Sequence, residues 1–166
     1  MVVAVGEMGG YKGAKVRATI TARVNAELKA AMLARDEFKT GLLRDLKSAF
    51  LYEEVDKGKR DTGLTDDELE AVIAREVKKR NDAIEIYTGA GDKARAEREM
   101  AEKEILMQFL PEQLSEDELR EVVARVINTG GFGPKDMGRV MGDVKREVGS
   151  RADGGAIARI VKEVLQ

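Results

Sequence analysis

The chain has 166 residues, with 29 Lys and Arg against 31 Asp and Glu and a net charge of −2, a length that suits one ordinary domain or two small ones. It contains no Cys, no His and no Trp. This excludes disulfides, Cys/His zinc sites, Cys–His dyads, Ser-His-Asp triads and any imidazole acid or base.

Residues 1–18 hold four of the 17 glycines, Gly6, Gly9, Gly10 and Gly13, and show no apolar period. They are expected to form an irregular or flexible arm. Ile20, Val24, Leu28, Ala31 and Met32 then recur at helical spacing and predict a helix over about 20–34. A second helix is expected over about 37–57, with Leu42, Leu43, Leu46, Ala49, Phe50 and Val55 on one side.

Leu64-Thr65-Asp66-Asp67-Glu68-Leu69 is a capping box with a hydrophobic staple. The Thr65 hydroxyl can accept from the third residue on, and Glu68 can reach back to the N–H of Thr65. The stripe Leu69, Val72, Ile73, Val77, Ile84, Tyr87 follows, and Gly89 and Gly91 end it. Asp92 is the expected cap of a fourth helix over about 93–109, whose Met100, Ile105, Leu106, Phe109 and Leu110 must dock. Pro111 stops that helix, and Pro111 to Leu114 reads as a hinge.

The start signal repeats at Leu114-Ser115-Glu116-Asp117-Glu118-Leu119. Three short amphipathic helices are expected after it, over about 116–128, 134–148 and 154–165, and they can bury one shared core. No segment alternates strictly, so the expected fold is all-α. The divisions are an arm at 1–18, an N-terminal four-helix subdomain at 19–110 and a C-terminal three-helix subdomain at 111–166. No stretch approaches a membrane span and the N-terminus lacks a basic signal-peptide region, so a cytoplasmic protein is expected.

Several segments resemble the YqeY-like (GatB/YqeY) family: Leu43-Arg44-Asp45-Leu46-Lys47-Ser48-Ala49, Glu76-Val77-Lys78-Lys79-Arg80-Asn81-Asp82, Leu110-Pro111-Glu112-Gln113-Leu114-Ser115, Lys135-Asp136-Met137-Gly138-Arg139-Val140-Met141-Gly142 and Arg151-Ala152-Asp153-Gly154. Leu51-Tyr52 stands where that family usually has a Lys-Asn-like pair. The resemblance implies four N-terminal helices followed by a three-helix bundle. It also implies kinship with the tRNA-binding tail of the B subunit of the tRNA-dependent amidotransferase, whose catalytic part has no counterpart here.

Residues 133–162 carry seven basic and four acidic side chains, a local charge of +3. A phosphate backbone would be drawn to such a stripe, and the plain alternative is a solvated face with pairs such as Arg139–Asp143. Gly138 and Gly142 lie one turn apart on a helix, each costing up to about 1 kcal/mol relative to Ala. Either a neighbouring helix packs closely there or a partner does. Asp153 is a good N-cap, and Gly154 leaves the first amides of the last helix unshielded, a place for an anion. Lys78-Lys79-Arg80 reads as a solvated face, and Gly130-Gly131 as a helix end before Pro134 opens the next.

The leading expectation is a non-catalytic module that docks electrostatically onto tRNA or another structured RNA. Its contacts would be Lys135, Arg139, Lys145, Arg146, Arg151, Gly154 and Lys162, with Gly138 and Gly142 as close-packing or partner-contact positions. Aromatics are too few for stacking on single strands. The alternatives are a protein–protein adaptor and, through the family link, part of a carbon–nitrogen ligase with glutamine as amido-N-donor, acting on aminoacyl-tRNA. No cofactor, metal or membrane contact is expected.

Overall fold

A computed structural model describes residues 18–166. The arm expected at 1–18 therefore lies almost wholly outside the described residues. Among these there are seven α-helices and no strand: α1 Ile20–Leu33, α2 Glu37–Asp56, α3 Asp66–Gly89, α4 Lys93–Met107, α5 Glu116–Gly130, α6 Met137–Val148 and α7 Gly154–Leu165. Short 3-10 turns at Pro134–Asp136 and Gly149–Arg151 precede α6 and α7.

The helix starts follow from side-chain oxygens that satisfy otherwise orphaned amides. Thr65 and Ser115 each accept from the amide three residues on, at 3.3 and 3.2 Å, while Glu68 and Glu118 accept from the cap amides at 2.8 Å. Both capping boxes are thus formed. Asp92 caps α4 at 3.1 Å and Asp153 caps α7 at 3.3 Å. The end of α5 is set by Gly131, whose φ of +61° is a left-handed geometry that costs a glycine little.

The apolar stripes close over two separate clusters. One is built by α1–α4 around Leu43, Ile73 and Leu106, and it takes in Phe109 and Leu110. The other is built by α5–α7 around Val123, Val140, Val144, Ile157, Ile160 and Val161. Leu64 and Leu114, the expected staples, lie half-buried against the first and second cluster respectively.

Five apolar side chains on the expected stripes are exposed, Met137 and Val164 at the margin of the second cluster among them. Met32, Val55 and Met100 are exposed, because each sits at the edge of its stripe, beyond the reach of the facing helix. Ile84 and Tyr87 are only half-buried, since the outer turns of α3 pack on α4 alone. Polar contacts take over there: Arg80 donates to Glu76 at 2.6 Å and to Glu102 at 3.2 Å, tying α3 to α4.

Candidate nucleic-acid interface

A groove of about 1010 Å³ runs between α3 with the end of α4 on one side and the end of α6, the Gly149–Arg151 turn and the start of α7 on the other. On α3 its lining repeats at three and four residues: Asp67, Glu70, Ala71, Ala74, Lys78, Asn81. This stripe is offset from the core stripe Leu69, Val72, Ile73, Val77, so one helix serves core and groove together. The two alanines keep the wall low.

The opposite wall depends on a sharp change of direction after α6. Gly149 has φ +56°, a conformation that L side chains rarely adopt, and the chain then turns through Ser150 and Arg151 into α7. Polar contacts hold this turn. Ser150 Oγ donates to Glu70 Oε2 at 2.9 Å, and Gln113 Nε2 donates to the carbonyls of Ser150 and Pro111 at 2.9 and 3.0 Å. The Leu114 amide donates to the Arg151 carbonyl at 2.8 Å. The Pro111–Leu114 connection and the turn therefore brace each other at the base of the groove.

Six cations and four carboxylates line the groove. Arg75 pairs with Glu53 at 2.6 Å and Arg146 with Asp143 at 3.0 Å. Lys78, Lys103, Lys145 and Arg151 make no ion pair among the described residues. Of the carboxylates, Glu70 accepts from Ser150, Glu147 pairs with Arg125, and Asp153 caps α7. Asp67, Glu70 and Asp153 make no ion pair, because a hydroxyl and a backbone amide leave the charges of the last two in place, so four free cations face three free carboxylates and the excess in the groove is positive and small. The field of Arg151 also reaches Glu118, whose carboxyl is held below its ordinary range first by the Ser115 amide, then by the Ser115 hydroxyl, and least by Arg151.

Of the seven RNA-contact candidates, Lys145, Arg146, Arg151 and Gly154 line this groove, whereas Lys135, Arg139 and Lys162 do not. Arg139 lies over the Phe132 ring, 5.6 Å from its centroid, rather than pairing with Asp143, which takes Arg146 instead. Arg159, counted in the same basic stretch, is engaged by Glu116 and Glu163. The basic stretch is thus not one continuous surface.

Gly138 and Gly142 are not close-packing positions, because a β-carbon on either would meet no heavy atom within 4 Å. The face of α6 that carries them points away from the core side chains Val140, Val144 and Val148. Close approach occurs instead at Gly130, where an added β-carbon would run into the Phe132 ring.

Lys78 and Lys103 were not among the sequence candidates. In the run Lys78-Lys79-Arg80, Lys79 and Arg80 pair with Glu76, and only Lys78 turns its charge to the groove. The legible signal was the Ala71–Ala74–Lys78–Asn81 stripe, which marks a second face of α3 beside its core stripe.

Among the described residues no three carboxylates gather in an arrangement that could hold a metal ion, and no helix is long and apolar enough to cross a membrane. The family model described as Yqey-like protein matches residues 21–165. No curated protein matches the chain.

Proposed function

This chain belongs to the YqeY-like family, and on that premise we propose that it is a non-catalytic helical module of the cytoplasm that binds tRNA or another structured RNA by electrostatic docking. We read the two hydrophobic clusters as subdomains at 19–110 and 111–166, joined at Pro111–Leu114. The observation that carries the reading is the set of unpaired cations in one groove, with Lys145 and Arg151 on the wall that leads into α7, whose start is capped by Asp153. Phosphates are attracted by such charges. The kinship with a tRNA-binding amidotransferase tail that the resemblance implies favours folded RNA over single strands, and the groove lining contains no aromatic ring on which a base could stack.

The test is the affinity of the purified full chain for an unfractionated tRNA pool across a salt series. The variant Lys145→Ala/Arg151→Ala is expected to bind roughly tenfold more weakly, with a salt slope smaller by about 2. Unchanged affinity and slope would remove the RNA reading.

A protein–protein adaptor is favoured by a different observation. Gly138 and Gly142 leave an open backbone surface on α6 next to Met137, which is 37% exposed. A partner helix could approach closely there. Capture of a partner that survives nuclease and high salt would favour this reading. For a carbon–nitrogen ligase the chain offers neither Cys nor His, so a thiol nucleophile for glutamine has no side chain to supply it. Glutamine-dependent transamidation by the purified chain alone would establish the ligase.

A further inference from the structure

The two walls of the groove come from parts of the chain with separate hydrophobic clusters. Lys145 and Arg151 stand on the C-terminal wall, and Lys78 and Lys103 stand on the wall made by α3 and α4. None of the four makes an ion pair among the described residues. Lys78, Lys145 and Arg151 are exposed and Lys103 is half-buried; the four charges outnumber the three lining carboxylates that make no ion pair, Asp67, Glu70 and Asp153, and an anion between the walls is attracted by both.

We infer that the groove is a two-walled clamp, in which a single run of phosphodiester backbone is gripped by Lys78 and Lys103 from one side and by Lys145 and Arg151 from the other. This rests on the RNA reading above and extends it to helices outside the C-terminal bundle. All four free cations suit phosphate oxygens, the three lysines as compact point charges and Arg151 as a planar fork. Across the groove, the direct side-chain hydrogen bond between α3 and the Gly149–Arg151 turn is that of Ser150 to Glu70.

The experiment uses the full chain, the same tRNA pool and three proteins: wild type, Lys145→Ala/Arg151→Ala and Lys78→Ala/Lys103→Ala. All four changes are at side chains outside both hydrophobic clusters, and circular dichroism checks that the helix content is retained. The clamp predicts that Lys78→Ala/Lys103→Ala also loses roughly tenfold in affinity and about 2 in salt slope. If that variant binds like wild type while Lys145→Ala/Arg151→Ala is weakened, the clamp is overturned and the RNA reading stands. If wild type does not bind the pool, both fall. Polyglutamate that competes with tRNA at equal charge concentration would replace the phosphate clamp by an acidic-protein site.

Discussion

Ser150 donates its hydroxyl to Glu70 at 2.9 Å across a separation of 80 residues in the sequence. The bond fastens the turn before α7 to α3 and sets the base of the groove between them. Ser150→Ala removes a charge-assisted bond from a half-buried place and is expected to cost about 1 kcal/mol in urea unfolding. Amide exchange at Leu114, braced by the same turn, should quicken. Unaltered exchange there would show that the turn is held without Glu70.

The two capping boxes should be equivalent in energy although they start helices in different clusters. Thr65→Ala and Ser115→Ala each remove a side-chain acceptor from the third helical amide. A loss of about 1 kcal/mol is expected for each, read from the denaturation midpoint. A loss below a few tenths in either would mean that water caps that helix equally well.

A glycine inside α6 and a glycine at the end of α5 should respond in opposite directions. At Gly142 a methyl group meets nothing, so Gly142→Ala gains helix propensity and should stabilise the chain by up to about 1 kcal/mol. At Gly130 the methyl would strike the Phe132 ring, which must swing out and release its place beneath Arg139. Gly130→Ala should therefore destabilise the chain by about 1 kcal/mol despite the better propensity. Thermal melts of the two variants check the signs. Loss of tRNA affinity or of a protein partner in the more stable Gly142→Ala would locate a docking surface on α6.

How much of this was readable in advance differs between helix ends and helix faces. The starts at Thr65, Asp92, Ser115 and Asp153 were legible because a cap is a local contract between residues three apart. Periodicity likewise located the core faces, as with Val140 and Val144 on α6. It could not locate the groove, which depends on α3 meeting a turn about 80 residues later through Glu70 and Ser150. For the same reason Lys78 looked like its neighbours Lys79 and Arg80, although only the latter two find Glu76. Lys135, Arg139 and Lys162 have the right charge and a different outlook, because a linear count of basic residues carries no information on how three helices are rotated about one core. Close packing at Gly138 and Gly142 was one of two expectations, and the distance from α6 to its neighbours on that face overturns it.

Acid should weaken the fold through three carboxylates that anchor helix starts. Glu68 is held at about 2, first by the Lys59 ammonium at 2.6 Å and then by the Thr65 amide. Glu116 and Glu118 are also held below their ordinary range, by Arg159 and by the Ser115 amide respectively. A carboxyl whose folded value is depressed binds fewer protons when folded. Its contribution is therefore complete above its unfolded value, roughly 4.3, and is lost as pH falls through the folded value. The melting temperature should hold down to about pH 5 and then decline toward pH 2. Glu68→Gln should be less stable at neutral pH and should lose less over that acid range. Parallel declines for the two proteins would show that Glu68 does not contribute to the acid transition.

The groove is the part of the account on which function depends, and a position-specific cross-link reads it directly. A photoreactive benzoylphenylalanine replaces Ala71, which lies exposed on the α3 wall, or Leu51, which is exposed on α2 and outside the groove. On irradiation with the tRNA pool, the account predicts covalent RNA on the chain substituted at 71 and little on the chain substituted at 51. Equal labelling at both positions, or labelling at 51 alone, would contradict RNA binding in the groove.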